Sequence, residues 1–420
     1  MKILVVGGGG REHAIIWKLK QSPRVEKIYC APGNGGISQD AECVNIGPME
    51  FDRLVAFAKE QKIDLTVVGM DDPLVGGIVD VFEQNGLRVF GPRKNAAIIE
   101  GSKAFSKELM KKYDIPTAGY ETFDDFETAK AYVLTQEPPI VLKADGLALG
   151  KGVLICQSQE EAVEGLKEMM IDQKFGKSGT KVVIEEFLTG PEVSVLSFCD
   201  GKTVCPMVSA QDHKRAYDND QGLNTGGMGT FSPSRIYTPE IAETCMKEIF
   251  RPTVDAMAKE GRPFQGVLYF GLMLTPKGMK VIEYNCRFGD PEAQVVLPRL
   301  KTDLVDIMEA CIDQTLDQMD IQWEDNAAVC VVEASGGYPE HYEKGYEITG
   351  LDQASQMENL MVFHAGTKQE NGKFYTNGGR VLGITGTGKT LEEAIKRAYE
   401  GVAVVDFEKK HFRHDIGIKK

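Results

Sequence analysis

Two short strands joined by a glycine-rich loop are predicted from Ile140-Val-Leu-Lys143-Ala-Asp-Gly146-Leu-Ala-Leu-Gly150-Lys151-Gly152-Val153. The loop is longer than an ordinary hairpin turn, and its glycines let backbone amides approach a ligand closely. Lys143 ends the first strand and presents a positive charge suited to phosphate oxygens. The stretch therefore predicts a lid that closes over a triphosphate. The alternative is a plain hairpin with a surface lysine.

Two adjacent acids end the next predicted strand, in Val182-Val-Ile-Glu185-Glu186-Phe187-Leu188, and Gly190-Pro191-Glu192 then enters another strand. Backbone beyond a strand end offers a donor and an acceptor, and a carboxylate accepts hydrogen bonds from two vicinal hydroxyls. The segment thus suits a nucleoside. Together with the strand lysine and the glycine loop, it resembles the ATP-grasp fold, in which two lobes clamp ATP.

This resemblance implies an ATP site made of a hinge, an acid, two lysines and the lid. The hinge backbone would bind adenine, the acid would bind the ribose hydroxyls, and the lysines would reach the phosphates. The residues concerned are, in that order, Glu185, Glu186, Phe187 and Leu188 of the hinge, Glu192, Lys103 and Lys143, and Gly146, Lys151 and Gly152 of the lid.

The length and composition indicate a soluble, enzyme-like protein of several packed units. A chain of 420 residues exceeds one core, and its net charge of −14 repels nucleic acid, so phosphorylated ligands need local amides, lysines or a metal. We expect no membrane span and no signal peptide. Nine cysteines without a Cys-x-x-Cys pair indicate reduced thiols. We therefore expect a cytoplasmic protein that binds neither nucleic acid nor membranes. A monomer is also expected, although the sequence itself does not give the oligomeric state.

Four units are predicted along the chain. Residues 1–102 alternate β-branched runs with helical patterns, which predicts an open parallel α/β sheet. Residues 103–189, with a linker helix, form the small ATP-grasp lobe, and residues 190–325 form the large lobe. Residues 326–420 are predicted to be a compact strand-rich domain closed by a helix. The expected fold class is thus α/β and α+β multidomain.

A glycine loop also follows the first strand, in Gly7-Gly8-Gly9-Gly10-Arg11-Glu12-His13. Free amides at the following helix start would face a phosphate or carboxylate above the strand. A dinucleotide site is not favoured, because the third small residue is missing and no acid ends the second strand near Cys30. A tight turn without a ligand is the alternative.

A magnesium or manganese site is predicted in Met279-Lys-Val-Ile-Glu283-Tyr-Asn285. Strand alternation places Glu283 and Asn285 on one face, and Mg²⁺ prefers one or two such oxygens completed by phosphates and water. An ordinary half-exposed edge strand is the alternative. Many ATP-grasp enzymes carry another acid on the preceding strand, but no carboxylate lies near Gly271 here, which leaves Glu283 to bridge both ions.

Further motifs resemble the glycinamide ribonucleotide synthetase family. They are Gln211-Asp212-His213-Lys214-Arg215, Asn224-Thr225-Gly226-Gly227-Met228-Gly229, Cys286-Arg287-Phe-Gly289-Asp290-Pro291-Glu292, the opening glycine loop with Ala31-Pro-Gly-Asn34, and Arg413-His-Asp-Ile-Gly417. The resemblance covers essentially the whole chain. It implies ATP-dependent joining of glycine to 5-phosphoribosylamine through glycyl phosphate, the second step of purine biosynthesis.

The same resemblance assigns the substrate residues. Arg287 would stabilise a carboxylate or phosphoryl group, Asp212 would hold the glycine ammonium, and both are expected to be catalytic with Lys143. As an alternative, His213, Lys214 and Arg215 form a solvated charge run. The substrate-binding residues are expected to be Gly9, Gly10, Arg11, Glu12, Asn34, Asp71, Asp212, His213, Lys214, Thr225, Gly226, Gly227, Met228, Gly229, Arg287, Gly289, Asp290 and Pro291.

Two departures from the family pattern stand out. The family usually has Gly-Pro-Glu before the third helix, whereas this chain has Gly69-Met70-Asp71-Asp72, which keeps an acid on a shorter arm. The lid has Leu-Ala-Leu-Gly where Ala-Ala-Gly is usual.

Three rival interpretations are disfavoured by the sequence. Gly383-Ile-Thr-Gly-Thr-Gly388-Lys389-Thr390 satisfies the P-loop pattern, but only thirty residues follow it, too few for the parallel sheet that such a loop requires. A scaffold protein that keeps the clamp without turnover would lack lysine or metal positions, and these are present. A formate-using or bicarbonate-using relative is disfavoured by the Asp-His-Lys-Arg and Arg-Phe-Gly-Asp-Pro-Glu stretches.

Overall fold

The computed structural model describes residues 1–148 and 150–418. Its first sheet has five parallel strands in the order β3-β2-β1-β4-β5. Ile3 and Val5 of β1 are fully buried, as expected for a sheet covered on both faces. The elements of this region are β1 (Lys2–Gly7), α1 (Gly10–Leu19), β2 (Lys27–Pro32), β3 (Glu42–Cys43), α2 (Phe51–Glu60), β4 (Leu65–Val68), α3 (Asp71–Gly76), α4 (Ile78–Gln84), β5 (Val89–Phe90) and α5 (Lys94–Gly101). The predicted open parallel sheet is confirmed.

A four-stranded antiparallel sheet follows, in the order β6-β9-β7-β8. Two helices pack on it around Val133, Leu142 and Leu166. The linker helix begins where Ser102 accepts a hydrogen bond from the Phe105 amide, a standard N-cap. The elements are α6 (Lys103–Lys112), β6 (Tyr120–Phe123), α7 (Phe126–Val133), β7 (Ile140–Ala144), β8 (Val153–Cys156), α8 (Gln159–Met170) and β9 (Val182–Glu186).

The next sheet has the order β11-β10-β16-β17 and shares an apolar core with the first one. Leu4 and Val6 belong to the same buried cluster as Phe270 and Tyr284. The two sheets are therefore packed into one body. The elements are β10 (Glu192–Asp200), β11 (Val204–Pro206), β12 (Gln211–Asp212), β13 (Arg215–Tyr217), β14 (Gln221–Asn224), β15 (Gly229–Ser232), α9 (Pro239–Cys245), α10 (Arg251–Lys259), β16 (Gln265–Thr275), β17 (Gly278–Asn285), α11 (Ala293–Val296) and α12 (Leu304–Asp313).

The last large sheet has the path β12-β15-β18-β23-β20, with β24 paired to β18. Strands β12 and β15 come from residues 190–325, so the predicted large lobe supplies strands to two sheets. Smaller sheets pair β13 with β14 and order β19-β22-β21. The remaining elements are β18 (Ala327–Ser335), β19 (Glu347–Ile348), α13 (Leu351–Ser355), β20 (Leu360–His364), β21 (Thr367–Glu370), β22 (Lys373–Thr376), β23 (Arg380–Gly388), α14 (Leu391–Val404) and β24 (Lys410–His411).

The P-loop-like glycines serve packing. Strand β23 is antiparallel to both of its neighbours, and α14 lies directly over it. A Cβ at Gly386 would lie 2.4 Å from the Ala398 amide nitrogen, so only glycine fits there. Thr390 caps α14 by accepting from the Glu393 amide, while the Glu393 carboxylate accepts from the Lys389 amide at 2.8 Å. Within the described part of the chain, no helix combines the length and apolarity needed to cross a membrane.

Candidate active site

A buried carboxylate joins two lysines at the centre of the cleft. Lys143, at the end of β7, places Nζ 3.0 Å from Glu185 Oε2 and donates to the Ile282 carbonyl at 3.1 Å. Glu185 Oε1 lies 3.2 Å from Nζ of Lys107. The Lys107 side chain is 2% exposed, and burial lowers its pKa to about 8. The ammonium groups of Lys107 and Lys143 thus hold the Glu185 carboxylate between them.

Lys107 was not among the predicted site residues. It lies four residues after Lys103 on α6, so both occupy one helix face. That spacing was visible in the sequence and could have identified it.

The lid is fastened to the start of α6. Nζ of Lys103 donates to the Gly146 carbonyl at 3.0 Å, and Asp145 Oδ1 accepts from the Ala104 amide at 2.8 Å. Burial lowers the pKa of Lys103. A Cβ at Gly146 would lie 2.6 Å from Ser178 Oγ, which explains that glycine. Gly152 and the exposed Lys151 close the loop, and Leu149 lies outside the described residues.

The hinge lies where the β9 ladder ends. The last paired residue is Glu186, whose carboxylate accepts from the Gly119 amide at 2.9 Å. Phe187 and Leu188 follow outside the ladder, with the Phe187 side chain 38% exposed. Glu192 opens β10 and lies 3.4 Å from Nζ of Lys214. Lys103, Lys107, Lys143 and Lys214 form the lysine cluster of the cleft. Glu192 contacts this cluster through Lys214.

The candidate metal residues end β17 beside a β-bulge. Glu283 lies opposite Gly271, whereas Val281 lies opposite Leu272, so Ile282 has no partner in the ladder. Beyond the bulge, Glu283 and Asn285 are two residues apart and face the same side, while Tyr284 between them is buried. The predicted shared face is present, and the carbonyl of the bulge residue accepts from Lys143.

The charge around Glu283 suits a cation-binding role shared with phosphates. Burial opposes its ionisation, but Lys214 and Lys143 outweigh burial and lower its pKa. Among the described residues, no group of three or more His, Cys, Asp or Glu side chains could hold a metal by itself. Glu283 and Asn285 thus provide two oxygens, which fits Mg²⁺ or Mn²⁺ completed by phosphates and water.

Arg287 follows Asn285 by two residues and lies beside two acids of the N-terminal region. Nη2 lies 3.0 Å from Glu100 Oε1 and 3.6 Å from Asp71 Oδ2. Burial opposes ionisation of Asp71, but Arg287 and Arg11 outweigh it and lower its pKa. The shorter acid at position 71 therefore still reaches Arg287. Glu100 was missed, and it lies on the same buried face of α5 as Ala96, where an acid is unusual.

A pair of acids lies across from Arg287. Removal from water and the nearby Glu292 carboxylate raise the pKa of Asp212. Glu292 is buried and accepts from the Tyr269 hydroxyl at 3.0 Å. At Gly227, φ is +119° and a Cβ would lie 2.5 Å from Pro291 Cδ and 2.8 Å from Asp212 Oδ1. Only glycine fits at position 227, between the segments that contain Asp212 and Pro291. Glu292 belongs to the motif quoted above but was not selected.

His213 does not join the other predicted site side chains. Its Nδ1 lies 3.2 Å from the Gly229 carbonyl, and its Nε2 accepts from the Gly417 amide at 3.4 Å. Burial and the charge of Arg413 lower the pKa of His213 to about 4. The neutral ring thus ties the 211–215 segment to the end of the chain.

Lys214, in contrast, enters the cleft between Glu192 and Glu283, at 3.4 and 3.8 Å. These carboxylates raise its pKa well above the usual range. Thr225 donates to the Lys214 carbonyl at 2.8 Å and accepts from the Gly227 amide. Met228 and Gly229 follow as buried residues that lead into the C-terminal sheet. The 224–229 loop is therefore anchored on the Lys214 segment.

A cavity of about 390 Å³ continues the cleft between the N-terminal glycine loop and the C-terminal sheet. Asp290 contacts both the N-terminal helix and the C-terminal sheet. Its Oδ2 accepts from the Arg11 amide at 3.3 Å, and its Oδ1 lies 3.4 Å from Arg380. The lining residues are Gly8, Gly9, Gly33, Asn34, Asp290, Tyr338, Ala365, Gly366, Thr367, Asn377 and Arg380. Gly9, Asn34 and Asp290 were predicted, whereas the C-terminal residues were not.

Several predicted residues of this region support the backbone. Glu12 is buried beneath Gly7 and Gly69, where a Cβ would collide with it, and pairs with Arg11 at 2.8 Å. Asn34 donates to the Gly8 carbonyl and accepts from the amides of residues 36 and 37. Both residues shape the glycine loop. A Cβ at Gly10 would lie 2.7 Å from Gln294 Nε2, and one at Gly289 would lie 2.4 Å from Glu292 Oε2, so both glycines allow close packing.

Profiles of the phosphoribosylglycinamide synthetase N domain, ATP-grasp (A) domain and C domain match residues 1–100, 101–293 and 328–419. The chain belongs to this family. It is 52% identical over 419 residues to the phosphoribosylamine–glycine ligase of Halalkalibacterium halodurans, covering 100% of this chain and 97% of that protein. Over 420 residues it is 49% identical to the phosphoribosylamine–glycine ligase of Clostridium acetobutylicum, covering 100% of both.

The fold agrees with this assignment. The crystal structure of phosphoribosylamine–glycine ligase from Thermotoga maritima matches with a TM-score of 0.83 at 36% identity, covering 99% of this chain and 100% of that one. The predicted family and ATP-grasp architecture are confirmed.

Proposed function

We propose that the protein ligates glycine to 5-phosphoribosylamine with ATP, giving glycinamide ribonucleotide, ADP and phosphate in the second step of purine biosynthesis. One observation carries the proposal: residues 283–290 run without interruption from the lysine cluster to the cavity. Glu283 lies at the end of this segment where we place the ATP phosphates, and Asp290 lines the cavity beside Gly9 at the other end. Arg287 lies between these two residues in the segment. A single segment thus connects the place for a nucleotide with the place for a second phosphorylated substrate.

The reaction requires activation of glycine. A carboxylate is a poor electrophile toward an amine, so the glycine carboxylate first attacks the γ-phosphorus of ATP, which gives glycyl phosphate and ADP. The amine then attacks the acyl carbon and displaces phosphate. Lys143 and Lys103 hold the triphosphate from two sides, and the lid excludes water.

The chain offers groups for each developing charge. Arg287 stabilises the acyl oxygen, since its Nε is buried without a partner among the described residues and Nη2 is already fixed by Glu100. Asp212 and Glu292 would hold the glycine ammonium, whose positive charge favours the ionised form of Asp212 that burial and Glu292 oppose in the free protein. Glu283 and Asn285 would hold Mg²⁺ or Mn²⁺, which neutralises the phosphoryl group when bound.

The cavity provides a place for the phosphoribosyl group. The amides at the start of α1 suit the 5′-phosphate, and Asp290 can accept from the ribose hydroxyls. Arg11 and Arg380 hold Asp290 from both sides, so this acid has a fixed position. We place the enzyme in the cytoplasm, in line with nine free cysteines.

A substrate panel tests the proposal. Purified protein with ATP and Mg²⁺ is given phosphoribosylamine with glycine, alanine, formate or bicarbonate, and ADP release is followed by a coupled assay. Only glycine is expected to give rapid release together with glycinamide ribonucleotide, identified by mass spectrometry. Equal or faster turnover with formate or bicarbonate would assign the protein to another ATP-grasp activity.

A further inference from the structure

A carboxylate from outside the ATP-grasp lobes contacts three consecutive site residues. Glu100 ends α5 and is 7% exposed. Its Oε2 accepts from the Cys286 amide at 2.8 Å and from the Cys286 thiol at 3.0 Å. Its Oε1 lies 3.0 Å from Arg287 Nη2 and 3.1 Å from the end of the Asn285 amide that the hydrogen-bond pattern assigns to the nitrogen. One side chain thus contacts the whole Asn285-Cys286-Arg287 run.

The contact with Asn285 decides which end of its amide faces the cleft. An asparagine side chain carries a donor end and an acceptor end of nearly equal size, so shape alone does not orient it. The two groups that this end faces, the Glu100 carboxylate and the Tyr284 carbonyl, are both acceptors, so hydrogen bonding assigns the nitrogen to them and leaves the oxygen as the free end. Only the oxygen can bind a cation. A neighbour that fixes this rotation therefore fixes the ligand.

The contact with Arg287 likewise fixes the position of a site residue, the Arg287 guanidinium. Asp71 lies 3.6 Å from the same guanidinium nitrogen as Glu100, but it does not share the contact with Asn285. Buried ion pairs add little net stability, since desolvation offsets their attraction. A buried acid that grips three consecutive residues is better explained by the geometry that it imposes on them.

We propose that Glu100 is a positioning residue that holds the Asn285 oxygen toward the cation and the Arg287 guanidinium toward the transferring group. The proposal rests on the metal and substrate roles given above. It makes the N-terminal domain part of the phosphoryl-transfer site, because α5 supplies the carboxylate.

The test is direct Mn²⁺ binding, measured by electron paramagnetic resonance with the full chain and a non-hydrolysable ATP analogue. Glu100→Gln keeps the shape, but its amide nitrogen cannot accept, so one of the two sets of hydrogen bonds, to Asn285 and Arg287 or to Cys286, is lost. We expect its Mn²⁺ dissociation constant to rise at least fivefold, as in Asn285→Ala. The double variant should bind no more weakly than Asn285→Ala alone, since both changes remove the same ligand. Glu333→Gln, which changes a buried acid of β18 paired with Lys410, is the matched control and should bind Mn²⁺ as the wild type does.

A rescue variant separates positioning from simple stability. In Glu100→Gln with Asn285→Asp, either oxygen of the aspartate can bind the cation, and the glutamine can donate to the other. Mn²⁺ binding should return to within about twofold of wild type, and thermal unfolding is recorded for every variant. If the glutamine variant unfolds, Glu100→Asp, which keeps the charge on a shorter arm, should weaken binding in the same direction.

The outcomes distinguish the two levels of the argument. Wild-type Mn²⁺ binding in Glu100→Gln, with weak binding in Asn285→Ala, would overturn the positioning role and leave the metal site intact. Unchanged binding in Asn285→Ala would remove the metal site itself. Failure of the rescue variant despite a normal unfolding temperature would also count against the orientation argument.

Discussion

Replacement of Lys143 by methionine tests the lysine cluster at its centre. The Lys143 ammonium lies 3.0 Å from Glu185, and at an effective dielectric of about 20 this pair attracts with roughly 5 kcal/mol before desolvation. Removal of one partner of a buried pair costs about 3–5 kcal/mol. Since Lys107 remains 3.2 Å from the same carboxylate, we expect a loss of about 2–3 kcal/mol in the free energy of unfolding.

The effect on catalysis should be larger. One positive charge about 4 Å from a phosphate oxygen contributes about 4 kcal/mol at the same dielectric, which corresponds to about 10³-fold in kcat/KM for ATP. Urea unfolding and a coupled ADP-release assay measure the two quantities separately. Exposed Lys389, from the P-loop-like segment, is the matched control. Lys389→Ala should change stability by no more than about 0.5 kcal/mol and leave kcat/KM unchanged. The opposite ranking would refute the assignment of the nucleotide site.

Three further outcomes are expected. Burial raises the pKa of Glu333 to about 8, so the stability that its protonated form contributes is fully present below pH 4.5 and is lost as pH rises to about 8. The free energy of unfolding of Glu333→Gln should therefore exceed that of the wild type by about 2–4 kcal/mol between pH 5 and 8 in urea titrations. A difference that does not change with pH would contradict this. Gly386→Ala, which places a Cβ 2.4 Å from the Ala398 nitrogen, should lower the unfolding temperature without changing the KM for ATP. Glu283→Gln should abolish turnover while circular dichroism stays unchanged, and a normal rate with normal Mg²⁺ dependence would exclude the metal role.

The sheet and the nucleotide elements could be predicted because their signals are local. Alternating β-branched runs and helical patterns indicate the parallel N-terminal sheet without tertiary information. The lysine at the end of β7 and the two acids at the end of β9 are separated by the glycine loop, strand β8 and helix α8. Their meeting follows from antiparallel pairing of adjacent strands, in which Val141 lies opposite Glu185.

Contacts between distant segments could not be predicted in this way. Glu100 reaches Cys286 across 186 positions, and Arg380 reaches Asp290 from the C-terminal sheet, so neither contact has a signature in the local pattern. The bulge at Ile282 breaks an alternation that looks regular in sequence. The ring of His213 accepts from the Gly417 amide, 204 positions away, a contact that exists only in the folded chain.

Activation of glycine as an acyl phosphate is tested most directly by isotope transfer. Glycine labelled with ¹⁸O in its carboxylate is incubated with ATP, Mg²⁺, the enzyme and phosphoribosylamine, and the released phosphate is analysed by mass spectrometry. One labelled oxygen per phosphate is expected, because the carboxylate oxygen that attacks the γ-phosphorus leaves with it. Unlabelled phosphate, or a phosphorylated His213 in a quenched reaction, would contradict the mechanism.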